Sequence, residues 1–205
     1  MLIIFALFII AVVIKSLYRN EERKLKKLAE QHTITPSRTQ ASIKMPGIAN
    51  NISLALVELK IKFNYGMHDH ETPVFRFGLP LAEMQSDVVV FARPSQNIIS
   101  VLVDNPVFIP KLKRRAIFEF IGMINYDFNL AKFEMDHEDG SLRLRNILLM
   151  TEPDSLSSEK ISSWLRNSFE MMDLAFPGFM AIAYGNAVPS EVWAKIKSRV
   201  DPRLN

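Results

Sequence analysis

The chain has 205 residues, 48% of them hydrophobic, which suits one ordinary domain with an appendage. It has no cysteine, which excludes disulfides, thiolate chemistry and zinc-finger sites. The formal net charge of +3 is local: Lys15, Arg19, Arg23, Lys24, Lys26 and Lys27 stand against Glu21, Glu22 and Glu30, and the rest of the chain balances. Such an excess beside an apolar segment points to a membrane surface and away from nucleic acid as partner.

Residues 1–14 (MLIIFALFIIAVVI) contain no charged, polar or helix-breaking side chain. As a helix they reach about 21 Å, and continuing through Tyr18 gives about 27 Å, close to a hydrocarbon core of roughly 30 Å. Lys15 can snorkel and Tyr18 suits the interface. Residues 1–18 are therefore expected to form one transmembrane anchor. A cleaved signal peptide would carry a basic n-region and a small-x-small site, and neither is present. The six cations behind the span place the N-terminus outside and the rest in the cytoplasm. Residues 19–31 read as a basic juxtamembrane helix. Residues 32–51, rich in Thr, Ser, Pro and Gly, read as a flexible linker. The domain is expected over 52–200.

Within it, residues 53–63 (SLALVELKIKF) fit a helix as well as a strand. Phe75, Phe77 and Leu79 alternate with Arg76 and Gly78, and residues 87–93 (DVVVFAR) and 97–104 (NIISVLVD) read as two further strands. A helix is expected from Pro110 to about Asn125, with Leu112, Ala116, Phe120 and Ile124 on one face. Residues 130–149 form the clearest hairpin. A four-residue turn, His137-Glu138-Asp139-Gly140, pairs Met135 with Leu142, Glu134 with Arg143 and Phe133 with Leu144. A tighter Asp-Gly turn shifts the register by two and keeps the same residues inward. The last long helix has Ser157 as N-cap and a staple between Leu156 and Ile161. Its buried stripe is Ile161, Trp164, Leu165, Phe169 and Met172, and Pro177-Gly178 is expected to interrupt it. A short helix beginning at Pro189 follows. Grouped strands with helices on one face indicate an α+β class: three strands, a helix, two strands and a helix.

Phe75-Arg76-Phe77-Gly78, the run 120–125 (FIGMIN) ending in Asn125, the hairpin residues 131–136 (AKFEMD) with Arg143-Leu144-Arg145, and Ala183-Tyr184-Gly185 occur in an order that resembles the YbjN-type family. That family shares the fold of type III secretion chaperones. The resemblance covers roughly residues 52–196. It implies an antiparallel sheet packed by helices, a helical reading of residues 53–63, and a non-enzymatic domain that binds other proteins, often as a homodimer. It also implies a regulatory role in bacteria, so the membrane would be the bacterial inner membrane. The N-terminal anchor departs from the family's soluble members.

Three groups of residues invite a chemical reading. His68, His70 and Glu71 offer imidazole and carboxylate ligands, but two histidines spaced by two on a loop chelate only if other ligands converge, no further strong group is near, and a solvated turn explains them better. Asp136, Glu138 and Asp139 flank Gly140, which turn chemistry accounts for. Lys111, Lys113, Arg114 and Arg115 crowd a helix start, where the helix dipole disfavours cations. They are candidates for contact with an anionic lipid or an acidic partner segment. There is no phosphate loop, dinucleotide fingerprint or nucleophile elbow, and no cofactor is expected. The leading expectation is a membrane-tethered, non-enzymatic adaptor or chaperone-like module with an unidentified protein partner. The alternatives are a peripheral anionic-lipid-sensing regulator and a small metal-dependent enzyme.

Overall fold

A computed structural model describes residues 47–82, 84–128, 131–151 and 156–200. The anchor expected at 1–18, the juxtamembrane helix at 19–31 and the linker as far as residue 46 lie outside these residues. Among the described residues, no helix is long and apolar enough to cross a membrane.

The ambiguous segment begins as a helix. Helix α1 (Gly47–Glu58) buries Ile48, Ala49, Ile52, Ala55 and Leu56, while Leu54 and Val57 are left exposed. That spacing is helical, so the intervening apolar residues face water. The helix takes in residues 47–51, which the sequence pattern assigns to the linker. It ends where Lys60 adopts φ +58 and Ile61 N–H returns to the carbonyl of Leu56. Residues 59–63 are not helical.

Six strands follow: β1 (Asn64–Met67), β2 (Pro73–Pro80), β3 (Gln85–Arg93), β4 (Ile98–Asp104), β5 (Ala131–Met135) and β6 (Leu142–Leu149). They form one antiparallel sheet in the order β1-β2-β3-β4-β6-β5. The α+β class holds, with four strands before the central helix where three were expected. The additional one, Asn-Tyr-Gly-Met, is short and carries no apolar alternation. The β5–β6 hairpin has the four-residue-turn register: Met135 opposite Leu142, Glu134 opposite Arg143, Phe133 opposite Leu144.

Between β4 and β5 lies a single 3₁₀ turn, Lys111–Lys113, that leads into helix α2 (Arg114–Asp127). The tighter turn breaks the four-residue stripe expected from Leu112. Leu112 is 95% exposed, and the buried face is Ile117, Phe120, Ile121 and Ile124. Helix α3 (Ser158–Gly185) starts as the sequence indicates, with the Ser157 hydroxyl accepting from Lys160 N–H. It does not stop at Pro177. The proline is exposed, and Phe176, Phe179, Ile182 and Ala183 continue the buried stripe beyond it, so packing outweighs the roughly 3 kcal/mol cost of an internal proline. Helix α4 (Pro189–Val200) packs on α2 and α3.

One face of the sheet carries the core. Phe75 and Phe77, Val88 and Val90, Ile99, Val101 and Val103, and Phe133 and Leu144 all point to the helices. Phe179 of α3 stacks edge-on with both Phe120 and Phe133, at 5.1 Å in each case. One buried polar pair joins the layers: Asn146 donates to Ser168 Oγ at 3.0 Å, and that hydroxyl donates to the Trp164 carbonyl. Helix α1 is fixed to α3 by Asn51 donating to the Leu156 carbonyl and by Ser162 donating to Glu58.

Candidate functional site

The four cations singled out in the sequence part into two pairs. Arg114 turns inward: its guanidinium donates to the carbonyls of Ile109, His137 and Glu138 and so clamps the β5–β6 turn to the start of α2. Gly140, at φ +80, makes room for this, since a Cβ there would collide with the Ile109 carbonyl and the Arg114 side chain. Lys113 bonds Asn186 Oδ1, in the left-handed residue that ends α3. Lys111 and Arg115 remain exposed.

The carboxylates of that turn are local structure. Asp136 accepts from the N–H groups of Glu138 and Asp139, and Asp139 accepts from Ser141 N–H. In the β1–β2 turn, Asp69 accepts from Glu71 N–H, Thr72 N–H and the Thr72 hydroxyl. The Glu71 N–H bond leads the effects that lower the Asp69 pKa. His70 pairs with Glu71 at 3.5 Å in the open. Among the described residues no group of three His, Cys, Asp or Glu side chains converges as metal ligands would. Asn125 acts structurally, through a side chain that accepts from Phe133 N–H at 2.9 Å and donates to the Phe133 carbonyl at 3.0 Å. It thereby occupies the outer edge of β5 as a further strand would.

The surface with most to offer was not identified from sequence. Among the described residues no helix lies on the sheet's second face, and the registers order its side chains into rows across the strands. Val74, Phe91, Ser100 and Ile147 form one row; Arg93, Ile98 and Leu149 form the next towards one rim. On the other side lie Arg76, Val89, Leu102, Arg145 and Lys132. Phe91, Val89, Ile98 and Leu102 are half-buried; Ile147 is 47% and Leu149 73% exposed. None of these six packs against the core. An antiparallel sheet with one solvated face ordinarily alternates apolar inward with polar outward, so an apolar stripe here is an exception that marks an interaction surface.

Charge is graded across the same face. Arg93 lies over the Phe91 ring at 4.8 Å, a cation–π contact that holds the guanidinium beside the stripe. Glu134 accepts from Arg145 at 2.7 Å and from Arg143 at 3.0 Å. Burial pushes the Glu134 pKa up, but the two guanidinium bonds outweigh it and leave the carboxyl below its usual range. Asp104, opposite Arg143, is raised by burial and by Asp87, with Arg143 and then Arg76 acting against both. Among the described residues Arg76, Arg93 and Lys132 have no carboxylate within 4 Å, although Arg76 acts on Asp104 at longer range and Lys132 donates to the carbonyls of Asn125 and Phe128. The stripe is thus apolar, with cations along it that form no close ion pair among the described residues.

No protein-family model and no curated protein matches the chain. Among solved structures it is similar to the crystal structure of YbjN from E. coli, described as a candidate transcription regulator. The TM-score is 0.43 and the identity 15%, over 71% of this chain and 95% of that one.

Proposed function

We propose that the protein is a membrane-tethered, non-enzymatic adaptor whose domain binds, through the open face of its sheet, a protein segment carrying apolar and acidic side chains. The stripe of Val89, Phe91, Ile98, Leu102, Ile147 and Leu149, which no described helix covers, carries this reading. Its cations supply the charge preference: Arg76, Arg93 and Lys132 would meet acidic groups on a partner, which favours encounter and register more than raw affinity. The tether rests on the apolar run at residues 1–14 and the six cations that follow it.

A photo-crosslinking residue placed at Ile147 of the full chain in cells tests it, with one at Leu54, exposed on α1, as control. The expected result is a discrete adduct at 147 alone, mapped to an apolar and acidic segment of another protein. The adduct disappears in Arg76→Glu/Arg93→Glu. A self-adduct would make the face a dimer interface, and no adduct at 147 above that at 54 would refute docking there.

A further inference from the structure

The exposed corner at the start of α2 has features that the docking face does not use. Leu112 is 95% exposed, the extreme among the large hydrophobic side chains of the described residues. It sits at the centre of a single 3₁₀ turn with Lys111 before it, and Arg115 is exposed one turn on. A leucine on a loose loop would mean little. This turn is pinned on both sides: Lys113 bonds Asn186, and Arg114 bonds three backbone carbonyls of the preceding loop and the hairpin turn. Tyr184 donates to the Phe108 carbonyl and brings the end of α3 to the same corner. Val188, two residues beyond Asn186, is 48% exposed there, and Tyr184 is 56% exposed. The rigid scaffold therefore presents an apolar tip flanked by the exposed Lys111 and Arg115, with Asp136, Glu138 and Asp139 on the clamped hairpin turn and Glu119 further along α2 as acids.

We infer that this corner is a contact site for an anionic bilayer, with Leu112 entering the headgroup region and Lys111 and Arg115 held at the phosphate level. A shallow apolar insertion combined with basic side chains is how peripheral surfaces bind acidic lipid, and each cation near an anionic leaflet adds up to about fivefold in partitioning. A purely electrostatic patch would not need Leu112 exposed, and an apolar protein contact would not need it flanked by charge. The contact requires neither the sheet face nor the N-terminal anchor.

The absence of cysteine gives a clean test, because one introduced thiol is unique. The full chain with Val188→Cys, labelled with a polarity-sensitive fluorophore, is incorporated into or mixed with phosphatidylcholine vesicles, with and without phosphatidylserine. The emission is expected to shift blue, and to be quenched by brominated acyl chains, in the phosphatidylserine vesicles alone. Leu112→Asp, and separately Lys111→Glu/Arg115→Glu, abolish the shift. A label at Tyr126→Cys, 87% exposed near the far end of α2, stays in water throughout. A label at 188 that reports water in both vesicles, or equal burial in both, would overturn the inference. So would a shift that survives Leu112→Asp.

Discussion

Alanine at Gly178 is expected to lower the melting temperature of the domain, and alanine at Gly122 to raise it. Both glycines lie inside helices, where replacing glycine by alanine gains about 0.5–1 kcal/mol from backbone entropy. At Gly122 a Cβ meets nothing within 4 Å, so that gain stands alone. At Gly178 the same Cβ would lie 2.6 Å from Phe120 Cζ, 2.9 Å from Val192 Cγ1 and 3.0 Å from Phe120 Cε1. Carbon pairs are comfortable at about 3.5–4 Å, so all three contacts are repulsive. The Phe120 ring cannot retreat: it is fully buried, with Phe179 at 5.1 Å and Trp193 at 6.4 Å. Relief requires α4 to move off α3, and overpacking of this kind costs about 1–3 kcal/mol. The overpacking cost exceeds the propensity gain, for a net loss of about 1–2 kcal/mol. A domain of this size shifts by about 2–4 °C per kcal/mol. Gly178→Ala should therefore melt some 2–8 °C lower, and Gly122→Ala about 1–4 °C higher. Tryptophan fluorescence follows this unfolding in the full chain, because both tryptophans, Trp164 and Trp193, are in the domain. A Gly178→Ala protein that melts higher than the parent would show that the α3–α4 contact is not as close as described.

Arg114→Ala should cost about 1–2 kcal/mol, since three charge-assisted bonds are lost to carbonyls that water can partly reach, whereas Arg115→Ala should fall within about 0.5 kcal/mol of the parent; urea midpoints separate them. Asn125→Ala should cost about 1–3 kcal/mol and speed amide exchange at Phe133, whose N–H it covers; unchanged exchange there would contradict the edge role. Lys60→Gly should stabilise by about 0.5–1 kcal/mol, because the left-handed conformation costs lysine and not glycine. On acidification, Glu134 and Asp127 act in one direction. The Asp127 carboxyl is lowered by its bonds from Lys197 and then Trp193. Both folded-state pKa values are depressed, so their stabilisation is present above the unfolded carboxylate range and is lost as pH falls through the lower folded values. Asp104 is raised, so it destabilises at neutral pH and that penalty fades with acid; Asp104→Asn should gain stability at pH 7 and little at pH 3 in the same urea series.

The hairpin was legible because two independent signals agreed. The turn residues placed the loop but left its register open between two choices, and apolar-to-apolar and acid-to-base pairing gave the facing of Phe133, Glu134, Met135 and their partners in either. The open face was hidden for the opposite reason. In Asp87-Val88-Val89-Val90-Phe91-Ala92-Arg93 the outward set is charged only at its ends and apolar at its centre, so the alternation that separates Val88 and Val90, which are buried, from Val89 and Phe91, which are half-buried, is faint. The pairing partners make it definite. The cation cluster was visible as a composition, but that Arg114 and Lys113 are spent on backbone and Asn186 depends on loops far away in sequence. Pro177 shows the limit of local rules most directly: the residue forbids a helix by itself, and the buried stripe on either side overrules it.

The strand order has a consequence for biosynthesis. Strands β1 to β4 form a meander and β5–β6 a hairpin, each closable from neighbouring residues, but β4 must then join β6 across the whole of α2. Helix α1 docks on α3, with Asn51 bonded to Leu156 and Ser162 to Glu58, more than a hundred positions later. A nascent chain leaving the ribosome therefore exposes the apolar side of its meander until Ser158–Gly185 has emerged to cover it. Synthesis of the domain has to be nearly complete before any part of it is safe from aggregation.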